Sequence, residues 1–410
     1  MLARIWTGFF LAAFLSAMFQ WLVNDQSQIF SQIVTSTFDM ARLSAEIALG
    51  LIGILALWLG FFRIAEKAGL INVLARLLAP LFKRLMPQVP EGHPALGSVT
   101  MNLAANFLGL DNAATPMGLK AMRDLQTLNP DSDTASNAQI LFLVLNTSSV
   151  TLLPVTIFLF RAQQGSADPT AVFIPILLAT SASTITGLLA VAWFQRLKIF
   201  DAVILTYFAG FAILMALFVT YLGSLSATLL SEKSSLFGNL ILFGVIILFL
   251  TAGIFKRINT YDAFIEGAKE GFDVAVKLIP FLVGMLVAIG VLRASGVLDL
   301  ALVGVEWTFT LMGFNTDFVQ ALPTALMKPL SGSGARAMML ETMATHGVDS
   351  FPAMVSSVIQ GSTETTFYVL AVYFGSVGIK HVRHAITCGL LADLAGIVTA
   401  ITVSYWFFYN

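Results

Sequence analysis

The chain has 410 residues, of which 57% are hydrophobic and only 11% are charged, and its formal net charge is -1. Soluble domains contain about 25% charged residues, so the composition excludes a soluble protein and predicts a polytopic membrane protein. The net charge does not indicate a nucleic acid partner. With the single cysteine Cys388, the chain can form neither an internal disulfide nor a cysteine metal cluster.

Nine apolar stretches are long enough to cross a bilayer, for which a helix needs about 20 residues. The first could be a signal peptide, but it has no small-x-small cleavage site, and we interpret it as a retained span. The predicted spans are 4–23, 46–62, 138–160, 170–194, 203–223, 237–255, 276–292, 352–376 and 385–408.

Two further stretches, 95–127 and 315–345, are apolar but interrupted by Asn, Gly, Ser, Pro and a basic residue. A backbone break at membrane depth survives only where protein or water satisfies its polar groups. Both stretches are therefore predicted to be re-entrant helical hairpins. In the first, Asn112 or Thr115 is expected to cap the second helix, with Pro116 at its first position.

Two other segments, 69–87 and 260–275, mix apolar and charged residues at helical spacing. This pattern predicts helices that lie along the membrane interface. For 260–275, a solvated linker is an equally good interpretation.

The two halves of the chain repeat the same succession of motifs. GLKAM at Gly118 and LNTSSVTLLP at Leu145 correspond to GARAM at Gly334 and IQGSTETTFY at Ile359. The offset between matching motifs falls only from 227 residues near the first spans to 214 at the last. A duplicated membrane unit with polar, Gly-rich interruptions at matching places is typical of secondary transporters.

The predicted fold is an all-α polytopic membrane protein with two inverted-topology repeats. Each repeat has about four transmembrane helices and one re-entrant hairpin. Residues 1–195 form the first repeat, 196–229 contain one extra joining helix, and 230–410 form the second repeat.

The single joining span turns the second repeat upside down, and the distribution of Lys and Arg agrees with this. Residues 61–88 contain five basic residues, whereas the matching stretch 288–315 contains only Arg293. Basic residues collect on the cytoplasmic side. We therefore expect a bacterial cytoplasmic (inner) membrane protein with its N-terminus in the cytoplasm and its C-terminus outside.

Polar residues at both hairpins are candidates for solute binding, because helix N-termini accept anions and polar ligand atoms. Lys328 and Arg336 would strengthen such a site, although they could instead pair with Glu341, Asp111 or lipid headgroups. The hairpin candidates are Asn102, Asn106, Asp111, Asn112, Thr115, Lys328, Ser331, Gly332, Ser333, Gly334 and Arg336.

The spans 138–160 and 352–376 contain a second polar set and are predicted to be broken helices. A carboxylate at mid-span costs a few kcal/mol unless it is paired or lines a wet cavity, so Glu364 is the candidate for coupling to a proton or ion, with Glu341 as a second. The solute-binding candidates in these helices are Asn146, Thr147, Ser148, Gln360, Ser362 and Thr363.

Long motifs in this chain resemble two known proteins. NLAANFLGLDNAATPMGLKAMRDLQ resembles spore maturation protein A, and ALMKPLSGSGARAMMLETM with GSTETTFYVLAVYFGSVGIKHVRHA resembles spore maturation protein B. The chain is thus similar to an end-to-end fusion of the two, within the group that has nucleoside recognition, or Gate, domains. The resemblance implies a transport-like fold with inverted repeats and assembly into a homo-oligomer, but neither a nucleoside substrate nor established catalytic residues.

The function predicted from these features is secondary transport of a small polar or anionic solute by alternating access, coupled to a proton or sodium. The alternatives are a channel, a translocator of lipids or envelope precursors, and a membrane scaffold that transports nothing. The chain has no H-E-x-x-H motif, G-x-S-x-G elbow or P-loop, so we expect neither an enzyme nor a cofactor. The expected partners are the solute, the coupling ion and the lipid bilayer, without a nucleic acid.

Overall fold

The computed structural model describes residues 2–108, 111–197, 201–225 and 227–409. Within helices, the side chains of residues 2–3, 111–113, 227–228, 230–231, 277–278 and 281 lie outside this description. The described residues form helices and no strand; one isolated bridge joins Thr134 and His381. The prediction of an all-α polytopic membrane protein is confirmed.

Six helices in the described residues are long and apolar enough to cross a membrane. They are α1 (Leu2–Asn24), α2 (Gln28–Lys67), α8 (Phe173–Gln195), α9 (Ala202–Gly223), α10 (Ala227–Phe255) and α17 (Ala385–Phe408). Each corresponds to one of the nine predicted spans, although α8 begins three residues later than predicted.

The three remaining predicted spans are bent or broken. Span 138–160 forms α6 (Asn137–Thr147) and α7 (Val155–Gln163), and span 352–376 forms α15 (Phe351–Ser362) and α16 (Thr366–Gly375). Span 276–292 belongs to α11 (Thr260–Ala294), whose end is bent by 71° against α12 (Val297–Leu311). The stretch 260–275 is therefore the start of α11, and the interpretation as a linker is wrong.

Both predicted hairpin stretches contain two short helices. The first has α4 (Pro94–Phe107) and α5 (Asp111–Gln126), preceded by α3 (Leu70–Leu85). The second has α13 (Leu322–Met327), which follows a short 3₁₀ turn, and α14 (Gly332–His346).

The expected cap of α5 is wrong, because this helix begins at Asp111 and Pro116 lies inside it. A proline there has no N–H to donate to the carbonyl four residues earlier, so it weakens the second turn. The prediction rested on the preference of proline for the first turn of a helix, and Pro116 does not lie there.

The order of elements is the same in the two halves. One detail repeats with the sequence offset: α3 follows Gly69 and α12 follows Gly296, with φ angles of 76° and 73°. Glycine adopts this left-handed conformation without the steric cost of a Cβ atom, so both helices begin after the same kind of sharp turn. The opposite orientation of the halves and their boundaries stay predictions.

The chain folds into two compact units, each built from segments of both halves. Unit 1 contains Met1–Gly60, Thr156–Pro169 and Phe264–Gln360. Unit 2 contains Phe61–Val155, Thr170–Ala263 and Gly361–Asn410.

In unit 1, helix α1 is anchored to α11 by polar contacts from its apolar surface. The indole of Trp6 donates to the carbonyl oxygen of Gly284 at 2.7 Å, and Ser16 and Gln20 both donate to that of Ser295 at 2.8 Å. Hydrogen bonds of this kind hold helices together in lipid, where apolar contact alone gives little preference for protein over acyl chains.

In unit 2, α8 and α17 approach closely through small residues. A Cβ atom on Gly187 of α8 would lie 3.2 Å from the Cβ of Ala392 of α17. Close backbone approach through Gly and Ala is the usual basis of tight helix packing in membranes. Helix α6 packs against both members of this pair, and α16 packs against α17.

Candidate functional site

The predicted site residues lie in two groups, one in each unit. Unit 1 contains the α13–α14 turn and the end of α15, with the candidates Lys328, Ser331, Gly332, Ser333, Gly334, Arg336, Glu341 and Gln360. Unit 2 contains the α4–α5 hairpin and both helix breaks, with the candidates Asn102, Asn106, Asp111, Asn112, Thr115, Asn146, Thr147, Ser148, Ser362, Thr363 and Glu364.

The α13–α14 turn of unit 1 ends in a well-formed helix cap. Ser331 is the N-cap of α14, and its hydroxyl accepts a 3.1 Å hydrogen bond from the amide of Gly334. Gly334 is also tightly packed, because a Cβ there would lie 2.5 Å from the Met327 methyl carbon. The glycine lets the backbone of the turn approach α13, and the helix directs its positive N-terminal end toward the turn.

Lys328 is a buried cation at the start of this turn. Its side chain reaches the end of α15, where Nζ donates a 2.7 Å hydrogen bond to the main-chain carbonyl of Gln360. The side-chain oxygen Oε1 of Gln360 is also buried, and it accepts no hydrogen bond from any described residue. A buried acceptor without a donor is costly, so Gln360 has capacity for a ligand's donor.

Arg336 lies one turn into α14. Its guanidinium carbon lies 5.2 Å from the centre of the Phe160 ring, over the ring face. This cation–π contact helps to fix the position of the guanidinium. The turn therefore combines two cationic side chains with a helix N-terminus.

Glu341, the second coupling candidate, is held in an ion pair. Arg293 contacts both of its carboxylate oxygens, with Nη2 3.0 Å from Oε2, and Thr345 donates to Oε1 at 2.9 Å. Arg293 also donates to Asp299 at 3.3 Å. A buried carboxylate held by this many donors fits a fixed structural role, because breaking such a pair would leave an uncompensated buried charge.

The two helix breaks meet in unit 2. The amide of Glu364, between α15 and α16, donates a 2.7 Å hydrogen bond to the carbonyl oxygen of Thr147, the last residue of α6. The next carbonyl, that of Ser148, accepts from the hydroxyl of Thr184 in α8. A helix break leaves backbone groups without partners in their own helix. Here the amide of Glu364 and the carbonyls of Thr147 and Ser148 are satisfied by these contacts.

Glu364 is exposed, whereas its neighbours Thr363 and Thr365 are both 4% exposed. Among the described residues, no hydrogen bond or ion pair to its carboxylate is found; its amide bonds the carbonyl of Thr147, and its charge interacts with Tyr373. The carboxylate is therefore accessible at a helix break within an apolar stretch.

A chain of amides connects the first hairpin to α6. Asn106 donates to Oδ1 of Asn146 at 2.8 Å, and Asn102 donates to the carbonyl of Ala114 across the hairpin at 2.7 Å. Asn102 also bonds the hydroxyl of Tyr373 in α16. Asn102 is fully buried, so it links elements of unit 2, while the half-buried Asn106 is the more accessible of the two.

The remaining candidates of unit 2 are distributed as follows. The hydroxyls of Thr147 and Ser148 both donate to the carbonyl of Val144, at 3.0 and 2.8 Å. Thr115 is exposed. The side chains of Asp111 and Asn112 lie outside the described residues.

Two further residues of interest lie in unit 2; the sequence indicates Asp393, ranked below Glu364 because of its position near the start of the last span, but it does not indicate Tyr373. Tyr373 stacks on Phe142 with 5.7 Å between ring centres, and Asp393 of α17 is only 1% exposed. Single Ser, Thr and Tyr residues in apolar spans give little signal, because most bond their own helix. Asp393 has a stronger signal, since a carboxylate inside a span is rare.

A buried ion pair fixes the loops at one end of unit 1. Arg161 is fully buried and donates to Oδ1 of Asp349 at 2.7 Å, and the amide of Ala167 donates to Oδ2 at 2.9 Å. Partial burial alone would raise the pKa of Asp349, but the hydrogen bonds from Ser166 and Ala167 and the charge of Arg161 lower it. The pair is a structural clamp at the end of α7.

No three His, Cys, Asp or Glu side chains in the described part of the chain come together as metal ligands.

Comparison with known proteins agrees with the motifs. Spore maturation protein B of Bacillus subtilis (strain 168) is 47% identical over 154 residues, which are 38% of this chain and 85% of that protein. Spore maturation protein A of the same organism is 40% identical over 159 residues, which are 39% of this chain and 81% of that protein. The resemblance to both proteins is thus confirmed. No solved structure matches the chain significantly.

The family model described as "Nucleoside recognition" (Gate) matches twice, at residues 48–164 and 275–380. The two matches together cover more than half of the chain and include both hairpins and most of both broken helices. The chain is therefore a multi-pass membrane protein that belongs to the nucleoside recognition family.

Proposed function

We propose that this protein is a secondary transporter of a small polar solute, of anionic or zwitterionic character, in the bacterial cytoplasmic membrane. The observation that supports this most directly is the exposed carboxylate of Glu364 at a helix break within an apolar span. The distribution of basic residues supports a cytoplasmic N-terminus.

An exposed carboxylate at this depth needs water. Glu364 lies two residues after the end of α15, whose 12 residues extend for about 18 Å at 1.5 Å per residue, and we place it well inside a hydrocarbon core of about 30 Å. A charge facing lipid there costs several kcal/mol, whereas one that lines a wet cavity does not. Glu364 is therefore the candidate to exchange a proton or to contact the solute during transport.

The α13–α14 turn of unit 1 has the chemistry to hold the solute. Lys328, Arg336 and the N-terminus of α14 concentrate positive charge at one turn, which favours an anionic group. The buried oxygen of Gln360 accepts a hydrogen bond, which suits an amino or hydroxyl group on the same molecule. This combination matches a carboxylate-bearing solute with a hydrogen-bond donor better than an apolar lipid.

A thermal-shift screen of the purified full-length protein tests the proposal. The panel contains nucleosides, amino acids, short peptides and organic anions, each at two sodium concentrations and two pH values. A ligand that binds only the folded state stabilises it by about 2.7 kcal/mol at 100 times its Kd. We expect a hit among anionic or zwitterionic solutes.

Matched variants identify where the ligand binds. Arg336→Gln should abolish the shift, whereas Arg42→Gln in the same unit should keep it, because Arg42 only forms an exposed pair with Glu46. If the folded protein gives no hit, or if the hit is unaffected by Arg336→Gln, the solute site assigned here is wrong.

A further inference from the structure

One face of α17 lies against the second helix break. Gly389, Asp393 and Gly396 follow each other at spacings of four and three, so they share a single stripe of the helix. A Cβ on Gly389 would lie 2.7 Å from Cγ2 of Thr366, and one on Gly396 would lie 2.6 Å from Cγ2 of Thr363. The two glycines thus let the break residues approach α17 on either side of Asp393.

Asp393 is a carboxylate inside this packed region. It is 1% exposed and lies eight residues after Ala385, which places it about 12 Å along the helix. Thr366, the first residue of α16, donates a 2.7 Å hydrogen bond from its hydroxyl to Oδ2 of Asp393. Carboxylates inside apolar spans are rare and usually functional.

Two buried hydroxyl groups near this part of α17 have no hydrogen-bond partner among the described residues. They belong to Thr363 in the break, which is 4% exposed, and to Ser183 in α8, which is 0% exposed. The position of Gly396 connects them, because a Cβ there would lie 3.2 Å from Cβ of Ser183 and 3.3 Å from the carbonyl oxygen of Ser362. Gly396 is about one turn from Asp393, so Thr363, Ser183 and Ser362 pack against the same stretch of α17 as this carboxylate.

We propose that Asp393, Thr363, Ser183 and the carbonyl of Ser362 form a binding site for one sodium ion. Hydroxyl, carbonyl and carboxylate oxygens are the ligands that hard cations prefer. The end of α15 adds the negative end of its helix dipole, because Ser362 is its last residue. The ion would take the lone pairs of the two hydroxyls and offset the charge of Asp393.

The charge of the site favours a monovalent ion. The proposed ligands contain one carboxylate, and a sodium ion would bring their sum to zero. A calcium or magnesium ion would leave an excess positive charge in a region of low dielectric, and such ions are usually bound by several carboxylates.

The sodium site would supply the coupling ion for the proposed transport, and this role rests on the proposed function. An ion held by Thr363 and Ser362 would draw the break toward α17 and α8, and Glu364 is the next residue in that break. Sodium binding would thereby fix the backbone that positions the exposed carboxylate, which is the local requirement for coupling an ion to a solute.

Sodium-dependent stability of the purified full-length protein tests the site without any solute. Choline replaces sodium at constant ionic strength, and the melting temperature is followed from 0.1 to 300 mM sodium, with potassium as a second ion. We expect a saturable rise with sodium alone, which disappears in Asp393→Asn. Ser183→Ala should raise the apparent Kd for sodium at least tenfold. Because this change removes only one small group, it tests the site even if Asp393→Asn does not fold.

Ser404→Ala is the matched control, because Ser404 is also buried in α17 but donates to the carbonyl of Ala400 in its own helix at 2.7 Å. It should keep the full response to sodium. An unchanged melting temperature as sodium replaces choline, or an equal rise with potassium, would overturn the proposal. A rise with sodium that Asp393→Asn and Ser183→Ala both retain would also overturn it.

Direct binding of radioactive sodium separates this inference from the transport proposal. Sodium bound by the wild type and lost in Asp393→Asn supports the site even if no solute is moved. Solute uptake that proceeds without sodium binding would leave the transporter intact and contradict the site.

Discussion

The amide of Glu364 donates a 2.7 Å hydrogen bond to the carbonyl oxygen of Thr147. This bond joins the break between α15 and α16 to the end of α6, so the two interrupted helices share one backbone contact within unit 2. Because the exposed carboxylate of Glu364 belongs to the bonded residue, its position depends on the geometry of both breaks. A change in either break would move the carboxylate.

Glu364→Gln should abolish uphill solute transport and leave the protein folded. The change keeps the size of the side chain and the amide bond to Thr147, and it removes only the charge and the proton-binding oxygen. Uptake of the solute into proteoliposomes under an imposed ion gradient measures the effect. A variant that accumulates solute as the wild type does would show that Glu364 is not the coupling group.

Gly118→Ala should destabilise unit 2 by about 1–3 kcal/mol, as overpacking of a filled interior does. A Cβ there would lie 2.2 Å from the hydroxyl oxygen of Tyr373. That ring cannot easily move, because it is 6% exposed and stacks on Phe142. Thermal unfolding of the purified protein measures the loss.

Gly97→Ala is the control for this change. Gly97 lies in α4, and a Cβ there would meet no atom within 4 Å. We expect it to stabilise by about 0.5–1 kcal/mol through helix propensity alone. A Gly118→Ala variant as stable as Gly97→Ala would contradict the contact between α5 and Tyr373.

Periodicity and motif spacing predict much of the fold and part of the site. The length of the apolar stretches predicts the spans, and the polar runs at Asn146 and Gln360 predict the broken helices. Both can be predicted because both signals are local in sequence. Gln360 belongs to the same polar run as Glu364. In the structure its main-chain carbonyl accepts a hydrogen bond from Lys328.

Partners that are distant in sequence could not be predicted. The sequence offers Glu341 as a second coupling candidate after Glu364, but it does not show that Arg293, 48 residues from Glu341, holds this carboxylate in an ion pair. The hydroxyl of Ser183 resembles many others in apolar spans, and only the proximity of Gly396 connects it to Asp393. Such contacts depend on the packing of helices, which periodicity does not report.

Arg161→Ala should cost about 3 kcal/mol, the lower end of the range for breaking a buried ion pair. The guanidinium is fully buried and also donates to the carbonyl of Val348 at 3.2 Å, whereas Asp349 is 39% exposed and regains some water when left alone. Arg161→Lys should recover only part of the loss, because an ammonium cannot reproduce the fork of donors.

Arg42→Ala provides the comparison for an exposed pair. The side chains of Arg42 and Glu46 are 82% and 58% exposed, and such pairs contribute about 0.3–0.5 kcal/mol. Unfolding in mixed micelles measures both variants. Equal effects of Arg161→Ala and Arg42→Ala would contradict the clamp.

The stability of the wild type should fall in acid partly through Asp349. Its pKa is lower in the folded protein than in the unfolded chain, so the folded state is favoured when the group is charged. This contribution is complete above the unfolded pKa of about 3.9 and is lost as the pH falls through the lower folded pKa.

Asp349→Asn should therefore be less stable than the wild type at neutral pH, and its stability should fall less between pH 5 and pH 2. Melting temperatures across that range measure the difference. Parallel pH profiles for the two proteins would show that the charge of Asp349 does not stabilise the clamp.

Gradient-driven uptake tests the central proposal most directly. The purified protein is reconstituted into liposomes, a sodium or proton gradient is imposed, and accumulation of the solute identified by the thermal-shift screen is followed over time. We expect the solute to accumulate inside the liposomes above its external concentration. This accumulation should be lost when an ionophore dissipates the gradient. Equilibration without accumulation would indicate a channel, and no movement of a solute that binds would indicate a scaffold or receptor; either result would contradict secondary transport.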